Sequence, residues 1–578
     1  MCDHKLNIGA KLQAHLKDNI IVICLTVLAL ISRISLVTIS LGEVDSGNFC
    51  NSLQYGYDIT LFRPHAPGYP IFIFMAWPLY LITSDCIFSL GMVSAVLGGL
   101  VIIPFYLLMK DIGGTALAVA GSLLLIVNPL HWSFSTAMLS DVPSTFFVVL
   151  AGYFLYRGIS RDWAFLLGCG FMSIAIGVRP ANVCIILLLA VPLFLRWKNE
   201  RTLPVIPMVS GIAVFGIISS LWFFPGVLLG SDDFTAYLGA LQKQWSNAVS
   251  VGDISQLREP WLIQLFYRVE RFAVGYLLVY PWTGSDTKNL VSLLLCVPVI
   301  LGFIGFVCAW RRVSSDHVFI TTWLVTIFYP IFSIHFLPRY GIPYIPVFII
   351  LLLLGYRAIW SIYRMKKGSI ELMFLLCLDV VLMLYIIKLQ EPVSSFEVNP
   401  PGEPFYIGLL LILFLVATLW LRMRFQHWYT LVGNVGDNEK VRWVKSSWIM
   451  VLSVILVTPY VLVGYTNASI SHNTNSPGHQ LVLDVTRQYS PNESVVCWDN
   501  QTHSIFESLA PQFSITGRLG SDALYESYEN GGIILLTDRC QWYDEISNNL
   551  DLVNIGSYDG ASPIWSKAPQ ITAFLAMK

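Results

Sequence analysis

The sequence has little charge for its length. Only 12% of its 578 residues are charged, whereas 55% are hydrophobic. An ordinary soluble domain carries about 25% charged residues, so this composition cannot cover a water-exposed surface of such a size. Apolar stretches of about 20 residues, long enough to cross a bilayer, recur along most of the chain. The composition therefore excludes an ordinary soluble globular protein and predicts a polytopic membrane protein.

The sequence also lacks an excess of charge of either sign and lacks paired cysteine motifs. Its 35 Lys and Arg residues balance 36 Asp and Glu residues, which removes the electrostatic basis for binding nucleic acid. None of the 11 cysteines forms a C-x-x-C pair, so neither a zinc site nor a dithiol redox motif is indicated. Two pairs outside the apolar segments, Cys50 with Cys86 and Cys497 with Cys540, are candidates for disulfides on an oxidising face.

Lys and Arg residues gather at alternate ends of the apolar segments, and the positive-inside rule assigns those ends to the cytoplasm. The pattern predicts about thirteen crossings, an internal N-terminus and an external C-terminus. The predicted spans are 20–41, 87–109, 113–130, 142–156, 163–178, 181–195, 204–226, 289–310, 318–335, 341–357, 370–388, 405–421 and 447–466.

Three long polar connections fall on the external side in this topology: 42–86, 227–288 and 389–404. Beyond the membrane domain of residues 1–466, short strand patterns alternate with helix-compatible stretches in residues 467–578. We therefore expect a small extracytoplasmic α/β domain at the C-terminus.

The first external loop contains the residue types that acid–base chemistry needs. It opens with Glu43 and Asp45, which can converge if the first helix ends at Gly42. Asp58 precedes Arg63-Pro-His-Ala-Pro-Gly-Tyr-Pro70, where prolines restrict the backbone and glycine permits a tight turn. This rigid segment can hold cationic side chains against a bound anion.

An acidic pair after the first membrane helix, followed by this segment, resembles the GT-C glycosyltransferases, in particular the protein mannosyltransferase and aminoarabinose transferase group. Three further segments carry the resemblance, which covers roughly residues 40–360. They are Met138-Leu-Ser-Asp-Val-Pro143, Gly177-Val-Arg-Pro180 and Pro338-Arg-Tyr-Gly-Ile-Pro-Tyr-Ile-Pro346.

The resemblance implies transfer of a sugar from a polyprenyl-phosphate donor to an acceptor hydroxyl on a lipid, glycan or protein, with inversion and no required cofactor. It implies that an acidic residue of the first loop is the base, which is Asp45 here, with Glu43 as second choice. Arginine suits the lipid phosphate because its guanidinium stays charged and binds phosphate bidentately. The residues expected at the phosphate are Arg339, Arg63, Arg179 and His65, and those expected at the substrate are Asp141, Tyr340, Tyr69 and Asp58.

Other interpretations of the same residues stay open. Asp141 precedes a proline at a predicted helix start, which is typical of a helix N-cap, although related oligosaccharyltransferases use such a carboxylate at a divalent metal. Many crossings with buried charges also fit a transporter or flippase, which predicts inverted repeats and broken helices, and a scaffold protein is a third class. The short loops favour a bacterial inner membrane, with the endoplasmic reticulum as the alternative.

Overall fold

The long apolar runs of the sequence fold into helices that begin and end at residues suited to those positions. We describe a computed structural model of the chain that covers residues 2–42, 44–252, 307, 314–329, 338–364, 469, 472, 476–489, 495–497, 500–513, 515–516, 533–537, 552–558 and 571–576. The predicted spans 370–388, 405–421 and 447–466, nearly all of 289–310, and the loop 389–404 lie outside the described residues.

Helices fill most of the N-terminal half. Those before residue 160 are α1 (Cys2–Ile34), α2 (Val44–Gln54), α3 (Pro70–Thr83), α4 (Cys86–Leu100), α5 (Ile102–Gly113), α6 (Thr115–Val127), α7 (Pro129–Ser135) and α8 (Asp141–Gly158). Those after it are α9 (Asp162–Val178), the 3₁₀ helix η1 (Pro180–Leu189), α10 (Ala190–Glu200), α11 (Val205–Gly230), α12 (Phe234–Gly252), α13 (Ser315–Val325), η2 (Pro338–Tyr344, also 3₁₀) and α14 (Ile345–Arg364).

Local chemistry explains several of these boundaries. Helix α4 begins where the Asp85 carboxylate accepts a hydrogen bond from the Phe88 amide at 2.9 Å, and α7 begins where the Asn128 side chain accepts one from the His131 amide at 2.9 Å. Such caps satisfy amide groups that a helix leaves free at its start. Gly114 separates α5 from α6 with a φ of 87°, a conformation that glycine adopts without steric cost.

Four helical stretches in the described part of the chain are long and apolar enough to cross a membrane. They are Cys86–Gly113, Pro180–Glu200, Val205–Gly230 and Arg339–Arg357. The pair α6 and α7 makes a fifth if it is one span bent by 60° at Asn128. The predicted helical membrane fold is confirmed, while the number of thirteen crossings stays a prediction.

The apolar side chains of α11 are mostly exposed on the surface of the protein. Ile206, Ile212, Leu221 and Leu228 each expose more than half of their surface. Side chains of this kind are stable on a protein surface when lipid tails, rather than water, surround them. Helix α11 therefore presents a lipid-facing side.

Several predicted boundaries were wrong. The first helix ends at Ile34, whereas the span was predicted at 20–41, so an irregular segment separates it from α2. The span predicted at 181–195 begins as a 3₁₀ helix at Pro180. The loop predicted at 42–86 contains the helices α2 and α3. The loop predicted at 227–288 contains α12.

The C-terminal part contains two helices and a mixed sheet. Its elements are α15 (Pro477–Gln488), β1 (Val495–Cys497), α16 (Asn500–Leu509), β2 (Ile515–Thr516), β3 (Ile533–Thr537), β4 (Leu552–Tyr558) and β5 (Ile571–Ala576). The strand order is β2-β1-β3-β5-β4, with β1 parallel to β2 and β3, and with β5 antiparallel to β3 and β4. Val496 pairs with Ile534, and Ile534 with Phe574. Strands thus occur within residues 467–578, where short strand patterns were predicted, and the division of the chain into two domains stays a prediction.

Candidate active site

Asp45 lies in the first turn of α2, where the amide groups of a helix favour a negative charge. Its carboxylate forms an ion pair with the guanidinium of Arg339, which comes from η2. His65 lies on the other side, with its Nδ1 atom 3.6 Å from the second carboxylate oxygen. The side chains of Asp45 and Arg339 are only 15% and 7% exposed. Residues 294 positions apart therefore meet in one largely buried ion pair.

The electrostatics of this pair keep Asp45 ionised. Burial raises the pKa of the carboxyl group, but the positive charges of Arg339, His65 and Arg179 outweigh burial and lower the pKa to about 2. A carboxylate of this kind is a weak proton acceptor as long as its cationic partners stay in place. The Asp45 side chain is thus ionised while these partners are in place.

A second buried ion pair joins Asp141 and Arg179. Arg179 Nη2 lies 3.1 Å from Asp141 Oδ1, and Arg179 Nη1 donates a hydrogen bond to Ser140 Oγ at 3.1 Å. The same guanidinium lies over the ring of Tyr340, 5.2 Å from its centroid. The N-cap interpretation of Asp141 was wrong, because Ser140 holds the cap position and the Asp141 side chain is fully buried against Arg179.

The rigid segment before α3 supplies His65, which lies beside Asp45, and Tyr69, which contacts His65. His65 Nε2 and Tyr69 Oη lie 3.0 Å apart, and the ring of Phe49 packs edge-on against Tyr69 at 5.1 Å. Gly68 has a φ of 119°, and a Cβ atom there would lie 2.2 Å from the Tyr57 hydroxyl. Only glycine fits this position, which explains part of the Pro-Gly-Tyr-Pro pattern.

Two predicted site residues, Arg63 and Asp58, lie elsewhere, and a third is not described. The Arg63 guanidinium pairs with Glu507 and lies over the ring of Tyr55 at 4.8 Å, so the structure does not bring it to Arg339. The Asp58 carboxylate accepts hydrogen bonds from the Thr60 amide and hydroxyl at 2.9 and 2.6 Å, which gives it a role in the turn. Glu43 lies outside the described residues.

The C-terminal helices contact the chain on both sides of Asp45. Before it, the Leu41 amide donates to His479 Nδ1 at 3.2 Å, and Ser476 donates to the Leu41 carbonyl. After it, α2 packs on α16, where Asn51 donates to Glu507 Oε2 at 2.9 Å. The C-terminal helices thus contact both the segment before α2 and α2 itself, which carries Asp45.

Sequence reasoning missed Ser140, His479 and Glu507. Ser140 stands inside the motif that singled out Asp141, and its position beside a buried charge was the available signal. His479 and Glu507 meet the first loop across 438 and 444 residues, and nothing near them in sequence points to that loop.

One cysteine pair forms the disulfide that the sequence offered as a candidate. Cys50 in α2 is bonded to Cys86 at the start of α4, with their Cα atoms 5.2 Å apart. This bond ties α2 to the beginning of a membrane-spanning stretch. The second candidate pair includes Cys540, which lies outside the described residues.

Comparison with known proteins adds independent information on this arrangement. Residues 64–223 match the family described as dolichyl-phosphate-mannose-protein mannosyltransferase. The crystal structure of apo ArnT from Cupriavidus metallidurans is similar with a TM-score of 0.51 and 14% identity, over 98% of this chain and 98% of that one. The oligosaccharyltransferase from Archaeoglobus fulgidus is similar with a TM-score of 0.51 and 11% identity, over 90% of this chain and 69% of that one. No curated protein sequence matches the chain.

The chain shares the fold of these two membrane proteins, and the family match covers residues 64–223 of it. The family match begins at Pro64, inside the rigid segment, and extends through Asp141 and Arg179 to α11. It therefore includes both partners of the second ion pair. The resemblance predicted from five short motifs is confirmed at the level of the fold and by the family match over residues 64–223.

Proposed function

We propose that this GT-C protein transfers a sugar from a polyprenyl-phosphate donor to an acceptor hydroxyl. The observation that carries the proposal is the pair of buried carboxylate–guanidinium contacts, Asp45 with Arg339 and Asp141 with Arg179. They combine a proton acceptor with two permanent positive charges, which are the groups that this reaction needs. A further ArnT structure, similar with a TM-score of 0.51, has undecaprenyl phosphate bound.

In the proposed reaction the acceptor oxygen forms a bond to the anomeric carbon as the bond from that carbon to the phosphate oxygen breaks. The hydroxyl proton passes to the Asp45 carboxylate. The lipid phosphate leaves with the bonding electron pair, so it changes from a diester with one negative charge to a monoester with up to two. Attack opposite the leaving phosphate inverts the anomeric carbon.

Each remaining residue has a role that follows from its contacts. Arg339 stabilises the charge that develops on the departing phosphate, and Arg179 supports it from its fixed position. His65, which is hydrogen-bonded to Tyr69, orients Asp45. Asp141 and Tyr340 surround Arg179 and form the substrate side of the site.

We propose that the transfer needs no metal ion. In the part of the chain that the structure describes, no group of three or more His, Cys, Asp or Glu side chains is arranged to hold one. Both site carboxylates are instead paired with arginine. Transfer should therefore continue at an undiminished rate in excess EDTA, and restoration of a lost rate by Mn²⁺ or Mg²⁺ would contradict the proposal.

We propose that the site faces the external side of the membrane, in the periplasm if the protein is bacterial. Cys50, one partner of the Cys50–Cys86 disulfide, lies in the same helix as Asp45. Structural disulfides persist on oxidising faces of membranes. The Lys and Arg distribution supports the same orientation. The lumen of the endoplasmic reticulum would satisfy both observations in a eukaryotic cell.

The Asp45→Asn variant tests the function. Asn has nearly the shape of Asp but is a poor base, so we expect transfer to fall by about 10² to 10⁴-fold. The assay follows radiolabel from lipid-linked sugars into acceptors in membranes that contain the full-length protein. Asp18→Asn is the matched control, because Asp18 forms a comparable pair with Lys110 at 2.6 Å away from the site. Equal transfer by Asp45→Asn and wild type would refute the role of Asp45.

A further inference from the structure

Arg339 holds Asp45 in the structure, yet the proposed reaction needs the same guanidinium on the donor phosphate. We infer that Asp45 and the donor phosphate compete for Arg339, so that donor binding releases the base. The inference rests on the proposed function and adds an order of events: the donor binds first, Arg339 changes partner, and only then does Asp45 accept a proton. It explains why the resting protein does not present a free base beside a reactive lipid.

The two ion pairs of the site differ in how accessible their carboxylates are. Arg179 has the Asp141 carboxylate at 3.1 Å, the Ser140 hydroxyl at 3.1 Å and the Tyr340 ring beneath it. Asp141 is fully buried, whereas Asp45 is partly accessible. A ligand can therefore reach the Asp45–Arg339 pair more readily than the Asp141–Arg179 pair, which makes Arg339 the exchangeable group and Arg179 the fixed one.

Charge that develops during the transfer stabilises Arg339 in its position on the phosphate. The donor diester carries one negative charge, and the leaving monoester carries up to two. Attraction between Arg339 and the phosphate thus grows as the glycosidic bond breaks, while the Asp45 carboxylate loses its negative charge as it takes the proton. As the reaction proceeds, the attraction between the guanidinium and Asp45 weakens while the attraction between the guanidinium and the phosphate strengthens.

The acid–base properties of Asp45 change in the same sense. Burial raises the pKa of Asp45, and the positive charge of Arg339 is the largest influence that lowers it. When the guanidinium moves to phosphate, burial remains and the pKa of Asp45 rises. A carboxylate with a higher pKa is a better proton acceptor. His65 stays beside Asp45 and keeps it oriented.

Undecaprenyl phosphate without a sugar is the probe, since it offers the competing phosphate and cannot react. Its dissociation constant is measured by thermal shift and by tryptophan fluorescence on the purified full-length protein, as wild type, Asp45→Asn, Arg339→Gln and the double variant. Neutral Asn no longer competes, so Asp45→Asn should bind the lipid at least about tenfold tighter, equivalent to about 1.4 kcal/mol. In the Arg339→Gln background the same change should give no gain.

Each result has a distinct meaning. Equal or weaker binding by Asp45→Asn overturns the exchange, and so does a gain that persists in the double variant, because that gain comes from long-range repulsion. If Asp45→Asn does not fold, Asp45→Ser gives a second neutral side chain, and rescue of its melting temperature by the lipid measures the same affinity. Absence of lipid binding by every variant and by wild type refutes the proposed function instead.

Discussion

Acidification should weaken the docking of the C-terminal helices on the first external loop, and the contact responsible is the one between His479 and Leu41. His479 Nδ1 accepts a hydrogen bond from the Leu41 amide at 3.2 Å, so this nitrogen must be unprotonated. The imidazole is 7% exposed, and burial lowers its pKa from an ordinary 6.5 to about 4. Protonation therefore removes an acceptor and places a charge in a buried position.

The sign and size of the effect follow from the two pKa values. Between pH 6.5 and pH 4 the detached helix binds more protons than the docked one, so docking weakens as the pH falls. Docking is at full strength above pH 6.5, and the loss is complete below about pH 4. From pH 7 to pH 5 this shift weakens docking by about 2 kcal/mol, roughly a 30-fold change in the docking equilibrium.

Hydrogen exchange of α15, corrected for the intrinsic pH dependence of amide exchange, measures this docking free energy. His479→Asn is the control, because its side-chain oxygen can accept the bond from Leu41 and does not titrate in this range. Wild type should lose protection between pH 7 and pH 5, and His479→Asn should keep it. Equal pH dependence in the two proteins would show that His479 is not the titrating group.

Three further outcomes are expected. Arg339→Ala should weaken use of the phosphate-linked donor more than Arg339→Lys, because lysine keeps the charge and loses the bidentate geometry; equal kinetics in donor titrations would remove Arg339 from the site. Glu507→Gln, which keeps the shape and loses the ion pair with its arginine partner, should raise hydrogen exchange in α2 by the equivalent of about 1.5 to 3 kcal/mol, and unchanged exchange would contradict this contact. Reporter fusions after residues 17, 200 and 470 should give cytoplasmic, cytoplasmic and external signals, and a cytoplasmic signal at 470 would refute the topology.

The sequence predicted the residues of the site better than their partners. Arg179 and Arg339 were found from short motifs that contain proline and glycine, and Asp45 was found from the acidic pair that follows the first apolar segment. That Asp45 pairs with Arg339 and Arg179 with Asp141 depends on how α2, α8 and η2 pack, and the pattern of a single segment carries no such information.

The misplaced end of α1 has a clear physical cause. Residues 34–41 are predominantly apolar, so hydropathy alone extends the helix to the loop. The structure ends it at Ile34, next to Arg33, whose Nη2 donates to the Ile126 carbonyl at 2.7 Å near the end of α6. A buried cation that donates to a carbonyl group near the end of another helix is a tertiary feature. Arg63 was misplaced for a similar reason, since its partner Glu507 lies 444 residues away.

The contact between the first loop and the C-terminal helices sets an order of assembly during synthesis. Leu41 is made 438 residues before His479, which bonds to it. At a synthesis rate of about 5 to 20 residues per second, about 20 to 90 s pass between the synthesis of Leu41 and that of His479. The segment around Asp45 can therefore form its contact with His479 only after His479 has been translated. A nascent chain can insert its early helices and form its disulfide while the loop that bears Asp45 is still without that support.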